Sequence, residues 1–207
     1  VMLARERVAV GASLLLDGGN FLGQRLPLTQ IGFSEGLAYT YHELHNRALT
    51  RGMIAMGYDA VNLGEKDFLL GQEFLRGLRR DGLPLVSCNI VYANPGLGSD
   101  GKAHRQPFTK PYVTRVIGRG RFLGIPYGGV KVGLFGLARE HSKLSYREGA
   151  DPNALTWTPL EESLAEVVRT LREVERCDLV IGVTQLKSQE AVHFGAAVDG
   201  VDLFVER

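Results

Sequence analysis

The sequence predicts an α/β domain with substantial parallel strand pairing and helices over the sheet faces. Two observations carry that expectation. Short apolar runs of strand length alternate with helix-spaced segments along nearly the whole chain. Many of the runs also end in Gly-, Asp- or Asn-containing turns, the usual punctuation between such elements.

The elements follow in order. Val1–Ala12 reads as the end of a helix, and Leu14-Leu15-Leu16 as a strand closed by Asp17-Gly18-Gly19-Asn20. Glu35–Met56 has helical apolar spacing through Leu37, Tyr41, Leu44, Ala48 and Met56. Ala60–Leu63 is a strand followed by the loop Gly64–Asp67, and a helix from about Gly71 to Arg80 stops at Asp81-Gly82. Leu85–Ile90 is a further strand, and Asn94–Pro107, rich in Gly, Pro, Asn and Asp, an exposed loop. Tyr112–Ile117 and Val130–Leu137 are strands joined by a turn or hairpin, and Glu140–Thr156 is irregular.

Beyond it Thr158 is expected as N-cap, with Pro159 in the first helical position and Glu161 completing a capping box. Leu164, Val167, Val168, Leu171 and Val174 give that helix one apolar face. Asp178–Val183 is a buried strand, Ser188–Val198 a helix and Val201–Val205 a last strand. In sheets of this kind ligands sit at the carboxyl ends of the strands, which directs attention to Gly18–Gly23, Gly64–Asp67 and Thr184–Ser188.

Composition bounds the function. The 207 residues are 44% hydrophobic and 23% charged, with a formal net charge of +1, so one domain of residues 1–207 with a sizeable core is expected. That charge gives no reason to expect nucleic acid as a partner. No run of roughly 18 apolar residues is present, so no membrane insertion is expected in this segment. Cys88 and Cys177 read as small buried thiols, and the basic run Arg76–Arg80 as a solvated helix end. His42 and His45, spaced i, i+3, form a possible metal pair with no visible third ligand, so packing or surface roles are expected.

Several segments together resemble the calcineurin-like metallophosphoesterases, specifically the 5′-nucleotidase group. The family's "LLLDAGD" is similar to Leu14–Asn20, and its "MGYDAVTLGNHEFDYG" to Met56–Gly71. Its "PVLSANI" resembles Pro84–Ile90, "VGVIGL" resembles Val132–Leu137, and "ADVIIVLSHLG" resembles Cys177–Lys187. The resemblance covers about Leu14–Val205 and implies a four-layer sandwich, with two packed mixed β-sheets flanked by helices. It also implies that the family's first strand and final His motif lie outside the sequence.

Hydrolysis in that family implies two divalent cations that clamp the phosphate and generate a hydroxide. At the matched positions this chain departs from the pattern. Asn20 stands at the bridging carboxylate, Glu65 and Lys66 where the family has a metal-binding Asn and its catalytic His, and Asp67 follows. Leu69 replaces the Asp that supports that His, and Gln185 replaces a His ligand. The expectation is a degenerate site with no catalytic residue and no bound cofactor, the Lys66 ammonium lying near the vacated metal position, paired with Glu65 or Asp67.

The leading functional expectation is therefore an inactive binding or scaffold module, with a protein partner or attached domains. The resemblance also implies a periplasmic or extracellular location. An active phosphoesterase with a rebuilt oxygen-ligand site for Mg²⁺, Mn²⁺ or Ca²⁺ is one alternative. A metal-free receptor for a nucleotide-like molecule is the other.

Overall fold

A computed structural model of the chain describes residues 12–22, 34–94, 96–97, 103–123, 125–140, 144 and 154–206. The expected helix at Val1–Ala12 falls almost wholly outside them.

Strand β1 (Leu16–Asp17) leads to helix α1 (Glu35–Met56), β2 (Ala60–Asn62), a 3₁₀ turn (Glu65–Leu70), α2 (Gln72–Arg80) and β3 (Leu85–Val86). β4 (Ile90–Tyr92) and the short pair β5 (Gly96–Leu97) and β6 (Ala103–His104) precede β7 (Tyr112–Ile117). The hairpin β8 (Gly120–Phe122) and β9 (Ile125–Tyr127) leads into β10 (Val130–Leu137) and β11 (Leu155–Trp157). Helix α3 (Leu160–Arg169), extended by a π turn at Thr170–Val174, β12 (Leu179–Thr184), α4 (Ser188–Ala197) and β13 (Leu203–Glu206) complete the order.

Two sheets dominate. One is three-stranded, ordered β1-β2-β3 and parallel throughout; the other is ordered β13-β12-β10-β7. In the second, β10 pairs in parallel with β12 and antiparallel with β7. The parallel neighbours are joined through α1, α2, α3 and α4, the helical crossovers that parallel pairing requires. The four-stranded sheet is mixed, and among the described residues the three-stranded one is parallel.

Alternation along β10 shows how the layers stack. Val132 and Leu134 face a core shared with Ala60, Val86 and Val183, between the sheets. Phe135 and Leu137 face Leu164, Val167 and Leu171 on the α3 side. On the other flank Leu75, Leu78 and Met53 pack with Val61 and Leu85. The result is helix, sheet, sheet, helix. A strand covered on both faces is apolar at nearly every position, which is why β10 and β12 read as continuous runs.

Several elements differ from expectation. The strand expected at Leu85–Ile90 is two, β3 and β4, in different sheets, and the loop expected at Asn94–Pro107 contains the pair β5 and β6. Helix α1 turns inward not the stripe of Leu37, Tyr41, Leu44 and Ala48 but Ala38, His42, Asn46, Thr50 and Met53. Leu44 is 63% exposed, whereas His42 is 5% exposed. The polar stripe is accommodated by hydrogen bonding, as where Thr50 Oγ1 donates to the Asn46 carbonyl at 2.8 Å. Helix α3 starts one residue late: Pro159 is its cap, and Thr158 Oγ1 instead lies 2.6 Å from Ser163 Oγ. In the Arg76–Arg80 run Arg79 and Arg80 are exposed, as expected of a solvated helix end, whereas Arg76 is docked. Arg76 bonds the Tyr92 hydroxyl at 2.9 Å and lies over the rings of Tyr92 and Phe108, and Arg79 donates to the Phe108 carbonyl. No helix among the described residues is long and apolar enough to cross a membrane.

Candidate functional site

The carboxyl ends of β1, β2, β10, β12 and β13 open on a cleft of about 490 Å³, lined among others by Asn20, Glu65 and Gln185. Three of the positions singled out in the sequence therefore converge there. The fold explains why: each follows the last residues of a strand, and the parallel arrangement brings those ends to one side.

Asn20 stands in the turn after β1 in the left-handed conformation, φ 54°, which asparagine tolerates better than most residues. Its side-chain Oδ1 accepts a hydrogen bond from the Lys66 backbone N–H at 2.8 Å. The Gln185 amide packs against the turn after β2. A Cβ placed on Gly64 would lie 2.1 Å from Gln185 Nε2 and 2.4 Å from Asn20 Oδ1, so only glycine leaves room for both amides. Gln185 Nε2 is itself buried and has no hydrogen-bond partner among the described residues.

Asp67 is wholly buried and does not pair with Lys66. Its Oδ2 accepts from the backbone N–H groups of Asn20 and Gly64, both at 2.8 Å, and its Oδ1 accepts from Leu22 at 3.0 Å. Burial pushes the carboxyl up to about 7; the three backbone N–H groups oppose that rise and the nearby Asp17 carboxylate adds to it. The expected pairing of the Lys66 ammonium with Glu65 or Asp67 is not formed among the described residues, and Lys66 does not line the cleft. Leu69 is half-buried in the 3₁₀ turn and likewise does not reach it.

Other lining residues went unnoticed as site groups in the sequence. Arg139 follows β10 and pairs with Glu190 at 3.3 Å, while Glu206 ends β13 and accepts from the Ser188 hydroxyl at 2.8 Å. Both stand at or just past a strand's carboxyl end, so the rule that pointed to the β1, β2 and β12 loops could also have found them. With Lys187, the cleft has, among the described residues, two cationic and two anionic lining residues, counting Glu65 and Glu206.

Asn62 ties the sheets together beneath the cleft, donating from Nδ2 to the carbonyls of Gly18 at 3.0 Å and Leu137 at 3.1 Å. Among the described residues no three His, Cys, Asp or Glu side chains cluster so as to hold a metal ion. His45 is exposed and stacks on Tyr41, and His42 is buried on α1. Cys177 is buried, and burial pushes the Cys88 thiol up to about 12.

No family model matches the chain. A 5′-nucleotidase precursor from Thermus thermophilus superposes with a TM-score of 0.65 at 23% identity, over 99% of this chain and 34% of that one. The calcineurin-like phosphoesterase YfkN from Bacillus subtilis gives 0.65 at 19%, over 99% of this chain and 61% of that one. This chain has the calcineurin-like phosphoesterase fold. The phosphoesterase fold is also shared with the sulfate thiohydrolase SoxB of T. thermophilus, at a TM-score of 0.68 and 20% identity over 99% of this chain and 32% of SoxB. In sequence, the chain is 26% identical to the trifunctional nucleotide phosphoesterase protein YfkN of B. subtilis strain 168, over 93% of its own length. It spans 13% of the length of that relative.

Proposed function

We propose that this phosphoesterase-fold chain is catalytically inactive and serves as a binding or scaffold module of an exported protein, acting with a protein partner or attached domains. The donor chemistry at the strand ends carries the reading. Two divalent ions bring four positive charges and need several anionic or imidazole ligands. The bridging position holds the neutral Asn20 amide, whose oxygen accepts the Lys66 N–H. Gln185 supplies an amide, and in the same cleft Arg139 and Lys187 offset the negative charges of Glu65 and Glu206. Those residues do not fit a pair of divalent ions.

A hydrolase with a rebuilt site would use Glu65, Asp67 and the side-chain oxygens of Asn20 and Gln185; of these, both Asp67 oxygens and the Asn20 oxygen are engaged by backbone N–H groups. Fold does not carry activity with it, and a domain without its metal centre remains a usable scaffold. The description of one structural neighbour as a 5′-nucleotidase precursor supports export. A second reading, a metal-free receptor for a nucleotide-like molecule, is supported by the cleft itself, where Arg139, Lys187 and Asn20 offer donors to an anionic ligand.

Hydrolysis of a generic phosphate ester and of a nucleoside 5′-monophosphate, with Mn²⁺, Mg²⁺ or Ca²⁺ in excess, tests the reading. Rates equal to those of buffer are expected. Metal-dependent turnover that disappears in Glu65→Gln would overturn it, and nucleotide binding without turnover would favour the receptor.

A further inference from the structure

Helix α1 carries its polar stripe inward and its apolar stripe outward. His42, Asn46 and Thr50 are buried, while Leu37, Tyr41 and Leu44 are 54%, 43% and 63% exposed. A surface helix ordinarily carries such a stripe in order to bury it, and among the described residues nothing covers this one. Ala48, Gly52 and Ala55 continue the same line at spacings of four, four and three residues and are also exposed. Gly52 weakens the helix relative to alanine, yet a Cβ there would meet no described atom within 4 Å, so packing inside the chain does not call for glycine. The stripe therefore runs from bulky to small over about 27 Å of helix.

Two such stripes fit each other when one is turned end to end. An antiparallel pair about a two-fold axis places Leu37 of one copy opposite Ala55 of the other and Leu44 opposite Ala48. Tyr41 then faces Arg51 beside Gly52, so each bulky side chain meets a small or flexible one. A parallel pair would instead stack Leu37, Tyr41 and Leu44 on their own counterparts and leave the Ala48–Ala55 end loosely filled. Charges on the rim do not oppose the antiparallel contact. Glu43 and Arg47 already pair with each other at 2.9 Å, and the Arg51 guanidinium meets an aromatic face, which attracts a cation.

We propose that the outward face of α1 docks antiparallel on the same face of a second copy of this chain, forming a two-fold dimer. The proposal goes beyond the reading of the strand-end cleft and does not depend on it, since the stripe residues take no part in that cleft. The surface hidden by such a pair is on the order of 1,000 Å², the lower bound of a specific interface, so association is weak and concentration-dependent.

Sedimentation velocity of the chain between about 5 and 500 µM tests the pairing, and a monomer–dimer equilibrium within that range is expected. Leu44→Glu puts a charge into the seam and should weaken association at least about tenfold. Its thermal midpoint should stay within about 3 °C of the parent, because the side chain is mostly exposed in the single chain. Val192→Glu, on α4 and 73% exposed, should change neither quantity. Cross-linking reads the orientation. Copies carrying Leu37→Cys mixed with copies carrying Ala55→Cys should form a disulfide-linked pair. Leu37→Cys alone should not, since two such positions would lie about 27 Å apart. The native thiols compete little, because burial raises the pKa of both Cys88 and Cys177. A chain still monomeric at about 500 µM would overturn the proposal and leave the face to a different protein or an attached domain. So would a dimer that Leu44→Glu leaves intact, or one in which Leu37→Cys links to itself. None of these outcomes alters metal content or turnover, so the reading of the cleft stands or falls separately.

Discussion

Gly136→Ala is expected to destabilise the domain by about 3 kcal/mol, at the upper end of the usual cost of overpacking a core. The residue sits in β10 against Val86 and Asn62 of the opposite sheet, and its carbonyl accepts a bond from the Cys88 N–H at 2.8 Å. A Cβ there would lie 2.3 Å from the Val86 carbonyl oxygen, 2.6 Å from Asn62 Oδ1 and 2.7 Å from the Val86 carbonyl carbon. Two of those atoms are backbone of the opposite sheet, so relief requires the sheets to part. That movement would also strain the Asn62 bonds to Gly18 and Leu137. Gly133, on the other face of the same strand, is the control. Its Cβ would meet Leu171 Cδ2 at 2.7 Å and Cys177 Sγ at 3.1 Å, the ends of side chains that can shift. Denaturant unfolding should show a clearly larger loss for Gly136→Ala than for Gly133→Ala, with a drop in midpoint temperature of roughly 6–12 °C for the former. Equal losses would mean that the sheets do not approach as closely as described.

Stability should fall as the pH rises from about 4 to 7, through the titration of Asp67. Burial raises the folded carboxyl from 3.8 to about 7, so the folded state binds this proton more tightly than the unfolded chain. The favourable contribution is complete below the unfolded value. It declines as pH climbs through the window and is gone above the folded value, where the buried group is ionised. A difference of that size corresponds to roughly 4 kcal/mol. Other groups titrate in the same range, so the quantity to follow is the difference between the chain and Asp67→Asn, measured by denaturant unfolding at pH 5, 6, 7 and 8. The difference should shift steadily with pH, the parent losing ground as the solution becomes more alkaline. A flat difference would place the Asp67 carboxyl at an ordinary value.

The layered architecture was legible because parallel strands buried on both faces leave unmistakable apolar runs, as in β10 and β12. The convergence of Asn20, Glu65 and Gln185 was legible for a related reason, since each follows a strand end. What escaped was set by partners distant in sequence. Asp67 was singled out in the sequence as a partner for Lys66, whereas it accepts from backbone N–H groups in another loop, which leave no side-chain pattern. Helix α1 misled in a different way. Its apolar spacing through Leu37, Tyr41 and Leu44 is genuine, but Met53 at the far end lies in the core, and the stripe in line with it carries His42, Asn46 and Thr50. Periodicity located the helix and not its buried face. Arg139 and Glu206 were missed because each is a single charge at or past a strand end, outside any motif.

The central claim is that a phosphoesterase fold persists here with strand-end residues unsuited to two divalent ions. Its most direct test is the metal content of the purified chain by elemental analysis, after equilibration with Mn²⁺ and Zn²⁺ and removal of free ion. The expected result is well below one ion per chain, unchanged in Glu65→Gln. One or two ions per chain, lost on that substitution, would contradict the claim and identify Glu65 as part of a rebuilt metal site.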